Sequence, residues 1–187
     1  MPICKRGISN TQGGDITAAS ITVNGTGKNS TDGEGISNGG GGIINVNGDV
    51  SITDAGTHGI SMGGSTLNVY GNLNITNAGS AGIYNKGTIK VGYDANGNTK
   101  SANIIISTPG DHGIQIYDAS GSVKATGNIE VTNAGNHGVF VQKDNSLVEA
   151  GGKIKVSNPT NQGIYLADGR GKVAANSVEV TSPGLGH

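Results

Sequence analysis

Short runs of alternating apolar and polar residues recur along the chain, each closed by a small, polar or glycine-containing stretch. One set of runs contributes Val50/Ile52, Leu73/Ile75, Ile104/Ile106, Ile129/Val131, Ile154/Val156 and Val178/Val180. A second set starts after a glycine and contributes Ile60/Met62, Ile83/Asn85, Ile114/Ile116, Val139/Val141 and Ile164/Leu166. A third contributes Ile44/Val46, Leu67/Val69, Ile89/Val91, Val123/Ala125, Val148/Ala150 and Val173/Ala175. Residues two apart share a strand face, so every run predicts a short strand with one apolar and one mainly polar side. No run has the 3.6-residue period or the length of a helix.

The three kinds of run follow one another in a fixed order, and the order repeats. Aligned on the glycine of the second kind, the repeats fall at Gly35, Gly59, Gly82, Gly113, Gly138 and Gly163, at intervals of 24, 23, 31, 25 and 25 residues. Self-similarity at such a period marks a solenoid or an array. Three short strands and three turns use about 23 residues, which is one triangular coil of a parallel β-helix. The leucine-rich consensus is missing, and a propeller blade needs a longer, antiparallel unit. The expected fold is therefore all-β: a single-stranded parallel β-helix with three short strands per coil. About six to seven coils would make a rod ~30 Å long.

Corner chemistry agrees. Asp54, Asn77, Thr108, Asn133, Asn158 and Ser182 occupy equivalent places in "TDAG", "TNAG", "STPG", "TNAG", "SNPT" and "TSPG". Asn and Asp tolerate left-handed backbone, and stacked copies can form side-chain ladders. The abundant glycines, 35 of 187 residues, are expected to be mostly corners of positive φ. Two insertions interrupt the period: "GTGKNSTDGEG" at 25–35, and "GYDANGNTK" at 92–100, which predicts a protruding loop or small hairpin. Recognition commonly resides in such loops.

Composition narrows the function classes. Net charge is −1 and charged residues make up 13%, with no basic stripe, so no nucleic-acid partner is expected. No run of about 18 apolar residues exists, so no membrane insertion by this segment is expected. The single cysteine, Cys4, excludes an intrachain disulfide. "MPICKRGISN" lacks the apolar stretch of an intact signal peptide.

Most candidate motifs fail on detail. "GTGKNS" at 25–30 is similar to a phosphate loop, but Thr22 stands at the first glycine, Asn29 follows the lysine, and no helix pattern follows. "DANGN" at 94–98 starts like a calcium loop, yet its glycine is misplaced and Ile105 stands where the closing Glu belongs, which favours an Asn-Gly turn. His58, His112 and His137 each precede a repeat glycine. The last two belong to successive coils, but Ala81 and Gln162 deny the column a third metal ligand. Asp118, Asp144 and Asp168 follow the second strand near one corner with Lys143 and Arg170 nearby, and read as turn aspartates rather than an acid–base set. Asn24, Asn29 and Asn74 match the N-glycosylation pattern, as expected by chance in an Asn- and Thr-rich repeat. No catalytic residue, metal or cofactor is assigned.

The outward positions of the second strand are Ser37, Ser61, Tyr84, Gln115, Phe140 and Tyr165, and Tyr117 faces the same way two places beyond Gln115. Phe140 and Tyr165 should stack on adjacent coils, in a chain with five tyrosines, one phenylalanine and no tryptophan. Tyr84, Gln115, Tyr117, Phe140 and Tyr165 form the candidate binding surface, since exposed aromatics mark sugar or protein contacts.

The phrases "TNAGNHGVFV", "GIYLADGRGKV" and "GNIEVTNAG" resemble the passenger domains of bacterial autotransporters, from about residue 14 onward. That resemblance implies a right-handed β-helix outside a Gram-negative cell, with roles in adhesion, aggregation or toxicity. The signal peptide and translocating barrel of that family are missing, so the expectation is a fragment of a longer passenger: 1–13 an N-terminal extension, 14–187 the β-helix. The expected function is non-catalytic adhesion or self-association. The expected partner is a host-cell surface protein or glycan, or another copy of the chain, end to end or side by side. The alternatives are a carbohydrate-active β-helix enzyme and a secreted toxin passenger binding a host receptor.

Overall fold

In the structure, a computed structural model, residues 6–27, 33–117, 121–167, 169 and 171–182 are described. They form three seven-stranded parallel sheets, each strand paired with its equivalent one coil before and one coil after. Sheet A holds Arg6–Asn10, Glu34–Gly39, Ile60–Gly63, Ile83–Asn85, Ile114–Ile116, Val139–Val141 and Ile164–Leu166. Sheet B holds Ile16–Ala18, Ile43–Val46, Thr66–Val69, Thr88–Val91, Ser122–Ala125, Leu147–Ala150 and Lys172–Ala174. Sheet C holds Ile21–Asn24, Val50–Thr53, Leu73–Thr76, Ile104–Ser107, Ile129–Thr132, Lys153–Ser157 and Ser177–Thr181. One strand from each sheet, in the order A, B, C, makes one of seven coils of a β-solenoid. The second, third and first kinds of run in the sequence are sheets A, B and C. The first described strand of sheet A, Arg6–Asn10, lies inside the segment 1–13 expected to be an extension and pairs with Glu34–Gly39.

The register fixes the core. Ile36, Ile60, Ile83, Ile114 and Val139 pair in line along sheet A, and each is fully buried. Sheets B and C send Leu67, Val69, Leu73, Ile75, Ile89, Val91, Ile104 and Ile106 into the same interior. Burial of one such aliphatic side chain is worth about 1.5–3 kcal/mol, and its repetition in every coil substitutes for large aromatic core residues.

The corner from sheet C to sheet A bears out one expectation and corrects another. Asp54, Asn77, Thr108, Asn133, Asn158 and Ser182 all have positive φ, between 49° and 55°. Their side chains link coils: Asn77 Nδ2 donates to Asp54 Oδ1 at 3.1 Å, Thr108 Oγ1 donates to Asn77 Oδ1, and Asn158 Nδ2 donates to Asn133 Oδ1 at 3.1 Å. The repeat glycines are not positive-φ corners. Gly59, Gly82, Gly113 and Gly138 sit where an added Cβ would lie 2.3–2.5 Å from a methyl of Ile75, Ile106, Val131 or Val156 and 2.5–2.8 Å from the next coil's glycine carbonyl. They are glycines because sheet A starts in contact with sheet C.

Two polar devices lie outside the sequence expectations. Between sheets B and C, Asp49 Oδ1, Asn72 Oδ1, Asn103 Oδ1 and Asn128 Oδ1 accept the backbone N–H of Asn72, Asn103, Asn128 and Lys153, at 2.7–2.9 Å. Inside the solenoid, Asn85 is fully buried in a position equivalent to Met62 and Ile116. Its Nδ2 donates to the carbonyls of Gly87 (3.0 Å) and Ser122 (2.9 Å), and its Oδ1 accepts from Gly87 N (3.0 Å), tying the A–B corner to the next coil.

Candidate functional site

The outward residues of sheet A lie in one unbroken register: Ser37, Ser61, Tyr84, Gln115, Phe140, Tyr165. The expected pair is formed, with Phe140 and Tyr165 centroids 5.7 Å apart and planes 32° apart. Tyr117 is 46% exposed and leans back to 6.4 Å from Tyr84, and Tyr165 is 41% exposed. Gln115 stands between Tyr84 and Phe140 and divides the rings into two groups.

The histidines belong to this surface, which sequence reasoning missed by treating them as a separate column. His58 stacks on Tyr84 (4.9 Å, 18°), and His112 on Phe140 (4.8 Å, 9°), while His137 lies against Tyr165 (4.9 Å, 42°). His112 and His137 also stack on each other at 5.1 Å and 8°. Each histidine precedes a repeat glycine, and its ring partner sits two places after the repeat glycine of the next coil. Where Ala81 replaces the histidine, the next coil carries Gln115 instead of a ring; Glu34 is likewise followed by Ser61. That offset was the signal available in the sequence. Centroid separations near the coil spacing of about 4.8 Å turn the ring faces toward one another along the rod. His112 is itself buried, at 6% exposure, while His137 and Phe140 are half-buried.

The imidazoles also bond to the backbone. His137 N donates to His112 Nδ1 at 3.4 Å and Gln162 N donates to His137 Nδ1 at 3.3 Å. Since a backbone N–H can only donate, both Nδ1 atoms act as acceptors and are not free as metal ligands. His112 Nε2 lies 3.5 Å from Asp111 Oδ1. Burial holds His58, His112 and His137 below the usual histidine pKa. It outweighs Glu34, the Ala81 backbone and Asp111 at His58, Asp111 at His112, and Asp111 with the Gln162 backbone at His137; at His112 the neighbouring His137 lowers the value further. Among the described residues no group of three or more His, Cys, Asp or Glu side chains could hold a metal ion.

N-terminal to the rings, the same face steps down into an open recess of about 250 Å³ lined by Ser37, Gly39, Ser61, Gly63, Tyr84 and Lys86. A Cβ added at Gly39 would meet nothing within 4 Å, so packing does not require a glycine there. Lys86 Nζ lies 5.7 Å over the Tyr84 ring.

The 92–100 insertion is the small hairpin expected, closed by an antiparallel Tyr93–Thr99 bridge. Asp94 Oδ1 accepts from Asn96 N (2.9 Å) and Asn98 N (2.8 Å), and Oδ2 accepts from Asn98 Nδ2 (2.7 Å). These bonds, the Asn98 side chain's first, hold the Asp94 carboxyl below its usual pKa and commit both oxygens to the turn. Asp118, Asp168 and Arg170 lie outside the described residues, as do Cys4, Lys28 and Asn29, so the acid column is represented by Asp144 alone. Among the described residues no helix is long and apolar enough to cross a membrane.

No family model, no curated protein and no solved structure matches this chain.

Proposed function

We propose that the chain is a non-catalytic, surface-exposed interaction module, part of an extracellular bacterial passenger domain, that mediates adhesion or self-association through the outer face of sheet A. The observation that carries this reading is the gathering of Tyr84, Tyr117, Phe140, Tyr165 and three histidines on that one face of the rod. The β-solenoid serves enzymes and adhesins alike, so the fold adds no weight of its own. Exposed tyrosines such as Tyr117 and Tyr165, in a column whose ring faces largely cover one another, suit the surface of a protein, whether a host-cell protein or a second copy, better than the faces of sugar rings. Contacts of this kind are individually weak and gain strength through many copies on one cell.

The test is cell binding and bead clustering by the purified rod, beside a Phe140→Ser/Tyr165→Ser variant with unchanged circular dichroism. Serine already occupies this column at Ser37 and Ser61, so the fold accommodates it. Binding or clustering by the wild type and not by the variant supports the reading; equal behaviour of the two, including activity in neither, overturns it.

A further inference from the structure

Three histidines that each lie against a ring of the next coil are more than side chains on a surface, because two of them take the place of a backbone acceptor. The backbone N–H groups of His137 and Gln162 are met by the Nδ1 atoms of His112 and His137. An imidazole fills that role only while Nδ1 is unprotonated. Once the ring is charged, an N–H faces an N–H, the inter-coil bond is lost, and two cationic rings lie with centroids 5.1 Å apart. At His58, Nδ1 is buried without a hydrogen-bond partner, and burial there outweighs the Ala81 backbone that favours the proton.

We infer that the histidine–aromatic face of sheet A is a pH-responsive seam: proton uptake by His112 and His137 breaks their imidazole ties between coils, and charging of all three histidines splays the packed rings. This inference is independent of whether the face binds anything.

His58 faces Glu34 and Asp111, with Tyr84 on its ring; His112 faces Asp111 and His137, with Phe140 on its ring; His137 faces Asp111 and His112, with Tyr165 on its ring. Glu34 is itself engaged by Arg6 at 2.5 Å. Asp111 is the carboxylate that opposes the switch at all three sites, and burial exceeds its effect at each. For a base held below its unfolded value of 6.5, the unfolded chain binds more protons than the folded one in the window just below that value. The seam's stability is therefore complete above that window and is lost as pH falls through it.

The decisive experiment is thermal unfolding of the wild type and a His112→Gln/His137→Gln variant between about pH 8 and about pH 5, the range in which only histidine changes charge among unperturbed side chains. Glutamine stands in this column at Gln162, which makes the variant compatible with the corner. A midpoint that falls on acidification in the wild type and much less in the variant supports the seam. Parallel curves, or a wild-type midpoint that holds or rises, overturn it. Should the variant fail to fold, histidine NMR titration of the wild type decides. Ring carbons titrating below the unfolded value, together with broadening of the Phe140 and Tyr165 ring signals, support the inference; normal titration with unchanged rings overturns it.

Discussion

His137 lies over His112 with ring centroids 5.1 Å apart and planes 8° apart, and its own backbone N–H donates to the Nδ1 of the ring beneath it. One side chain thus supplies a stacking face and a backbone acceptor to the next coil. Truncation to alanine, the residue already present at Ala81, removes both and leaves a part-buried N–H without its partner. His112→Ala is expected to lower stability by about 2 kcal/mol near neutral pH, combining a lost hydrogen bond with a lost ring pair. Since His112 is held below its usual pKa, the wild type loses this advantage as pH falls through the histidine range, and the gap to the variant narrows. Urea unfolding at two pH values measures it; a gap that widens in acid would refute the argument.

Gly82 and Gly39 are both strand-associated glycines on sheet A, and their replacements should behave oppositely. A Cβ at Gly82 would lie 2.5 Å from Ile106 Cγ2 and 2.8 Å from Gly113 O, where neither neighbour can withdraw without moving a sheet. Gly82→Ala is expected to cost ~3 kcal/mol, the upper range for an overpacked core. A Cβ at Gly39 meets nothing, and φ there is not positive. Gly39→Ala should be neutral or stabilising by about 0.5 kcal/mol, through lower entropy of the unfolded chain. Denaturation midpoints of the two variants check the contrast.

The difference between those two glycines also marks how far the sequence could be read. The strands were legible because alternation with a period of two is local, and the left-handed corners because Asn and Asp carry that preference in their own side chains. The hairpin at 92–100 was legible for the same reason. The reason for the repeat glycines was not, since it depends on Ile or Val methyls of another sheet whose distance is set only once the sheets meet. The Arg6–Asn10 strand escaped notice because its inward positions are Ile8 and the polar Asn10, too little alternation to register. Of the candidate surface, the aromatic column could be read from register. Its pairing with the histidines runs diagonally from one coil to the next, and a column-by-column reading kept the two apart.

Asn85 tests whether buried polar groups stabilise or merely occupy the core. Its amide meets three backbone groups, of which the Gly87 N–H has only this acceptor among the described hydrogen bonds. Asn85→Ala leaves that donor buried and opens a small cavity, for an expected loss of about 3 kcal/mol. Asn85→Asp keeps the acceptor but turns carboxylate oxygen toward the Gly87 and Ser122 carbonyls. It should be the more damaging change at neutral pH and should recover part of its stability in acid, as the carboxyl becomes a donor. Thermal midpoints across a pH series distinguish the two; an aspartate variant indifferent to pH would show that water reaches the site.

Thr108 offers the opposite opportunity. It is the β-branched member of the left-handed corner column, with φ of 51°, where Asn77, Asn133 and Asn158 adopt 52–55°. A left-handed backbone costs an ordinary L-residue about 1–2 kcal/mol, and asparagine recovers much of that by local hydrogen bonding. The following proline is no obstacle, because Asn158 precedes Pro159 in the same geometry. Thr108 Oγ1 donates to Asn77 Oδ1, and an asparagine there can donate through Nδ2, as Asn158 does to Asn133. Thr108→Asn is therefore expected to raise stability by about 1 kcal/mol, seen as a higher urea midpoint at unchanged slope. A lower midpoint would mean that the threonine methyl contributes more in packing than its backbone costs, and that the corner ladder is not what limits the stability of this coil.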